Sequence, residues 1–187
     1  MASSTTYLSS DGTDYELVMG RWSERLASAF VDFSGVKDGE TMVDVGCGTG
    51  QLTRVLAARA PHSTIVAIDL STAYIAHAKE RNRNPRIHYE VGDACAMKFA
   101  SGSMDRVLSL LLLHFIPDPK VAIAEMRRVA RPGATVAACV WDVRGGYVAS
   151  RMFYDTAAAL DQRANAFRAR NFTRPMTRPG ELGGAWR

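Results

Sequence analysis

Residues 41–53 read TMVDVGCGTGQLT, with Gly46, Gly48 and Gly50 at alternate positions directly after an apolar run. Glycines in a turn of this kind let the backbone approach a ligand closely, because no Cβ intervenes. A dinucleotide site spaces them GxGxxG, so that a pyrophosphate rests on a helix N-terminus. Here the spacing is GxGxG, and Gln51 stands where that fingerprint wants glycine. Asp44, two residues before the first glycine, would repel a phosphate and attract an ammonium or sulfonium. Asp69 follows 19 residues after Gly50, a spacing at which a carboxylate accepts hydrogen bonds from both hydroxyls of a ribose. Asp93, in the Gly-Asp-Ala of residues 92–94, is placed to accept from an exocyclic adenine amine. Each acid alone reads equally well as a loop residue or a helix cap. Together with GxGxG they point to a nucleoside that is positively charged and carries no phosphate.

These residues need a scaffold that brings strand ends together. Strands are expected at 41–45, 64–69, 86–91, 105–112 and 134–141, alternating with helices. The first helix, 51–60, stops at Pro61; the second starts from Ser71 as N-cap; the third has Asp118 as N-cap and Pro119 as its first residue. A Pro-Gly turn at 132–133 leads into the fifth strand. The nearly unbroken apolar run 105–112 is that of a strand covered on both faces. Alternating strands and helices imply right-handed crossovers, hence an α/β, Rossmann-like, doubly wound and mostly parallel sheet. Its ligand belongs beyond the carboxyl ends of the strands, where strand order reverses, so residues 44–51 should line the site. We divide the single domain into a mobile start (1–13), an N-terminal helical cap (14–35) broken near Gly20, a core (41–141) and a helical segment (142–187) on the substrate side.

The stretches VDVGCGTG, IDLS, GDACAMKFASGSMDRV, LLHFIPDP and RPGA resemble the successive motifs of class I S-adenosylmethionine-dependent methyltransferases. Within that class the pattern is similar to the small-molecule enzymes of the ubiquinone and menaquinone methyltransferase type, over about residues 14–141. The resemblance implies S-adenosylmethionine as cofactor and a seven-stranded sheet in the order 3-2-1-4-5-7-6. Five strands are identifiable, so the sheet is expected to stop after the fifth. Cofactor contacts carried over are Asp44, Gly46, Cys47, Gly48, Gly50, Asp69, Leu70, Asp93, Ala94 and Ser109 or Leu110. Tyr15, Met19 or Arg21 would close over the cofactor from the N-terminal segment. The family often has a second histidine where Phe115 stands, phenylalanine at Met104 and glycine at Ala134.

In-line methyl transfer depends chiefly on alignment, and a base is needed only if the acceptor must first lose a proton. His114, just past the fourth strand, is the candidate base; a structural histidine is the other reading of that position. A small-molecule acceptor is expected between the N-terminal helices and residues 142–171. Alternatives left open are a catalytically impaired or truncated cofactor-binding domain and a nicotinamide-dependent dehydrogenase. Gln51, Asp44 and the lack of a Tyr-x-x-x-Lys pair oppose the dehydrogenase.

Composition narrows the field. The chain has 187 residues, 47% of them apolar and 22% charged, the balance of an ordinary globular protein. Its net charge of +4 is spread along the chain and suggests solvated faces more than a nucleic-acid surface. No nucleic-acid partner is expected, and no base-flipping motif follows the fourth strand. Cys47, Cys95 and Cys139 form no CxxC pair, so neither a metal site nor a disulfide is expected. The run 107–116 is too short to span a bilayer, and the start lacks the layout of a secretory signal; a cytoplasmic location is expected. Strand 134–141, apolar and uncovered on one edge, is expected to promote homo-oligomers.

Overall fold

In the computed structural model, residues 19–143 and 145–186 are described. The expectations for residues 1–18, Tyr15 among them, lie outside that range. Strand β1 (Thr41–Val45) is the centre of the sheet. It pairs in parallel with β2 (Thr64–Asp69) on one side and β4 (Met104–Leu110) on the other. Strands β3 (Ile87–Val91) and β5 (Ala130–Cys139) complete the order β3-β2-β1-β4-β5, every pair parallel. Such pairs need helical crossovers, and these cover both faces. One face buries Met42, Ile65 and Leu108 against helices α1 (Arg21–Ser34) and α2 (Gln51–Arg59), with Ile75 and Ala78 of α3 (Thr72–Arg81). The other buries Val43, Val45 and Val107 against Ala122, Ile123 and Met126 of α4 (Pro119–Val129). Neighbouring residues fall into opposite clusters, as the two-residue period of a strand requires.

The capping signals act as read. The Tyr74 amide donates to Ser71 Oγ at 3.2 Å, and the Lys120 amide donates to Asp118 Oδ1 at 3.2 Å with Pro119 opening α4. Strands β4 and β5 differ most from the sequence reading. β4 stops at Leu110 instead of running to 112, because Leu111 takes a left-handed φ of 62° and a 3₁₀ turn, Leu113–Phe115, follows. β5 starts at Ala130, four residues early, and ends at Cys139. Its pairing jumps from Met104↔Ala130 to Arg106↔Thr135, so the Pro-Gly pair, with Gly133 at φ 80°, is absorbed as a bulge inside the strand. The segment read as one or two helices is two, α5 (Val148–Leu160) and α6 (Asn165–Phe172), joined by a 3₁₀ turn capped by Asp161; α7 (Glu181–Ala185) follows. The break expected near Gly20 is not there: residues 19–20 form a π-helical turn, with Gly20 at φ −52° and ψ −50°, that runs directly into α1.

A buried guanidinium locks α1 to the sheet. Arg106, on β4, is 3% exposed, with Nε 2.6 Å and Nη2 2.8 Å from the Glu40 carboxylate. Its Nη2 also donates to Gly35 O at 3.0 Å, and its Nη1 donates to Ser34 O. These carbonyls close the C-terminus of α1, where a cation complements the helix dipole. Removing one side of such a pair strands the other charge. Arg106→Ala should therefore cost about 3 to 5 kcal/mol in urea unfolding. The double variant with Glu40→Gln should cost less than the sum of the two singles.

Candidate functional site at the carboxyl ends of the strands

The loop from β1 to α2 hangs on the neighbouring strand. The Gly46 and Cys47 amides both donate to Ile68 O, at 2.8 and 2.9 Å. Gly46, Gly48 and Gly50 have φ of 76°, 55° and 90°, a region costly to side chains. What each glycine leaves room for differs. A Cβ at Gly46 would lie 2.6 Å from Leu112 Cδ2, and one at Gly50 would lie 2.8 Å from the Tyr89 hydroxyl. A Cβ at Gly48 meets no described atom within 4 Å. The outer two therefore admit parts of the protein, and only the middle one faces open space. Nothing local in the sequence signals this, since Leu112 and Tyr89 come from distant elements.

Two carboxylates flank that space. Asp69 Oδ2 accepts from the Gly48 amide and Oδ1 from the Ser71 amide, both at 2.9 Å. Burial raises its pKa, against those hydrogen bonds. Asp44 has 0% exposure. Its Oδ2 accepts from Thr53 Oγ1 at 2.6 Å, and its Oδ1 has no hydrogen-bond partner among the described residues. Burial pushes this carboxyl up to about 7; the Asp69 charge adds to the shift and the Thr53 hydroxyl opposes it. Between them Cys47 is buried, its thiol pushed up first by burial and then by the two acids. A cavity of about 30 Å³ is lined by Ser23 of α1, Asp44, Gly48, Gln51 and the β4 end residues Leu110 and Leu111, together with Gly46, Cys47 and Leu52. Gln51 falls within the expected 44–51 lining, whereas Ser23, Leu111 and the Asp44 partner Thr53 carry no such signal in the sequence. Only a packed structure shows which residues of α1 and α2 face the loop.

The other expected residues separate. Asp93 accepts the Cys95 amide at 2.8 Å and, with Ile68, Gly92, Met97 and Phe99, lines a second small hollow beyond β3. Ala94 packs partly buried against the α4-side core, and Leu70 is 40% exposed. Leu110 lines the cavity, whereas Ser109 is buried with its hydroxyl donating to Val45 O at 3.1 Å and is not among the lining residues. The Arg21 side chain lies outside the described positions. His114, in the 3₁₀ turn, is 1% exposed, and neither ring nitrogen has a hydrogen-bond partner among the described residues. Burial, and then the Arg174 charge, lowers its pKa to about 3, which makes it a weak proton acceptor.

A family model described as a methyltransferase domain matches residues 43–138. The chain is 34% identical over 119 residues to malonyl-[acyl-carrier protein] O-methyltransferase of Hahella chejuensis, covering 64% of this chain and 42% of that one. It is 36% identical over 123 residues to demethylmenaquinone methyltransferase of Renibacterium salmoninarum, covering 66% and 50%. Among solved structures it is similar to Haemonchus contortus phosphoethanolamine N-methyltransferase 2 in complex with S-adenosyl-L-methionine, at 30% identity and a TM-score of 0.60, covering 68% and 31%. The chain spans half or less of the length of these curated relatives.

The cradle makes two expectations. Gly50→Ala should cost about 2 kcal/mol or more, as φ strain adds to the Tyr89 clash, and Tyr89→Phe should recover part of it; Gly48→Ala should cost only about 1 kcal/mol. Urea unfolding measures all three. Asp44 gives a pH signature. Its folded pKa, about 7, lies above its ordinary value of 3.8, so its contribution to stability is complete below pH 3.8 and is lost as pH rises through 7. Asp44→Asn should flatten that decline in denaturation midpoints across this window.

Proposed function

This chain belongs to the methyltransferase-domain family, and we propose that it binds S-adenosylmethionine over the glycine loop and methylates a small-molecule acceptor. The observation that carries the reading is the pair Asp44 and Asp69. A buried carboxylate with one oxygen unpartnered, a second carboxylate beside it and open space over Gly48 suit a cation without phosphate. When bound, S-adenosylmethionine supplies a methyl group on a positively charged sulfur, already activated for displacement.

The chain's own residues then bind and orient. Asp44 offers its free oxygen to positive charge, and Asp69 keeps lone pairs for ribose hydroxyls beyond its two backbone contacts. Asp93 and Ala94 frame the adenine end, where the hollow beyond β3 is lined by Met97 and Phe99. Leu110 and Cys47 form the wall, and Leu70 lies at the rim. The acceptor lies toward the 3₁₀ turn and residues 142–186. The methyltransferases named above support a small acceptor by analogy of family. We also propose that β5, at the end of the sheet, makes this chain self-associate through its outer edge, which is unpaired among the described residues; light scattering at micromolar concentration should show dimers or larger.

Titration calorimetry with S-adenosylhomocysteine tests the reading: it should bind where NAD does not. Asp69→Ala should weaken binding by about 1.5 to 3 kcal/mol, the worth of charge-assisted hydrogen bonds. An unchanged dissociation constant in the folded variant removes the ribose role. Because a cation favours the ionised carboxylate, affinity for S-adenosylmethionine should tighten from pH 6 to 8, and Asp44→Asn should abolish that trend.

A further inference from the structure

The 3₁₀ turn Leu113–Phe115 sits between two parts of the molecule. On one side Leu112 packs where a Gly46 Cβ would be, tying the turn to the glycine loop. On the other the Arg174 guanidinium lies 4.7 Å from the centre of the Phe115 ring, and Met176 shares a buried cluster with Leu113 and Ile116. His114 is enclosed there, its ring 4.1 Å from that of Phe115. A neutral imidazole always carries one N–H and one lone pair, and both are buried here without a partner. Leaving a buried polar atom unsatisfied costs free energy, so a fold gains nothing by keeping histidine at this place. An apolar residue of similar volume would fill the same space without that cost.

We infer that His114 is the polar contact for the methyl acceptor, and that the acceptor presents a protic heteroatom, a hydroxyl or an amine, to the ring. This rests on the transfer reading above. Such an atom donates its hydrogen to the imidazole lone pair and keeps its own lone pair for attack, whereas a carbon nucleophile has no such hydrogen to give. The new bond forms from that heteroatom to the methyl carbon, and the sulfur keeps the electron pair of the bond that breaks. On an amine the proton stays with the product ammonium until it passes to water; on a hydroxyl the product oxonium is a far stronger acid than the imidazolium, so its proton moves along the hydrogen bond to the ring and from there to water. Burial and the Arg174 charge, which keep the imidazole neutral, suit that role. The ring is 1% exposed, so contact with the acceptor requires the turn and the Arg174–Met176 side to move apart.

Two measurements test this, neither needing the acceptor's identity. In His114→Met the melting temperature should rise by about 4 °C or more, since unsatisfied atoms are removed. A contact made only for the fold would give a fall, and a fall overturns the inference. In the unaltered protein loaded with S-adenosylhomocysteine, nitrogen-15 NMR of labelled histidines should show the His114 resonance, assigned from its loss in His114→Gln, shift with phenol or ethanolamine. Toluene, similar in shape to phenol but with no protic atom, should shift it less. No shift with either protic probe, or an equal shift with toluene, overturns it. Failure of the preceding calorimetry would overturn the cofactor reading instead, so the two failures are distinguishable.

Discussion

Two neighbouring carboxylates at the ends of adjacent parallel strands, Asp44 fully buried and Asp69 half-buried, are the constraint on which this structure turns. Asp44 is the fourth residue of β1 and Asp69 the last of β2, and the register Val45↔Ile68 brings their ends together. A lone buried carboxylate is expensive, and it answers that cost by taking up a proton, by hydrogen bonding or by meeting a cation. Asp69 uses backbone amides, whereas Asp44 has the Thr53 hydroxyl and a free oxygen. The unequal solvation leaves Asp44 as the group that a cationic ligand would relieve most.

The glycine loop is shaped as much by the protein as by any ligand. Tyr89 reaches from β3 across to Gly50, and Leu112 reaches back from beyond β4 to Gly46. The loop is thus clamped from both sides, by β3 from across β2 and by the segment after β4, with only Gly48 of the three glycines open. Clamping fixes the amides of the loop before a ligand arrives, and a pre-formed cradle loses less freedom on binding. Arg106 performs the matching task at the other end of α1, holding the helix that carries Ser23 to the cavity.

Exposed apolar side chains gather on α5, which presents Val148, Met152, Phe153 and Leu160. Strand β5 is only partly buried, and α5 buries none of its residues. By contrast His114 is buried beside the Phe115 ring, with its polar atoms unmet among the described residues. Stability is thus concentrated in the sheet and the glycine loop, and the 3₁₀ turn and the segment after β5 are built from less favourable placements. Function in proteins commonly sits where local free energy has been given up.

The sequence by itself determined the alternation of strands and helices, the caps at Ser71 and Asp118 and the acids at three strand ends. These are local: periodicity sets which face is buried, and a hydroxyl or carboxylate three residues or fewer from a free amide satisfies it. GxGxG with an upstream acid was legible for the same reason, as a strand must turn there. Only the tertiary structure decided that Gly46 and Gly50 accommodate Leu112 and Tyr89, that Ser109 faces Val45, and that Asp44 has one free oxygen. It also decided that the Pro-Gly pair bulges within β5, because pairing with β4 outweighs a local turn preference. Each of these depends on which residues, far apart in the chain, compete for the same volume, and composition and spacing carry no record of that.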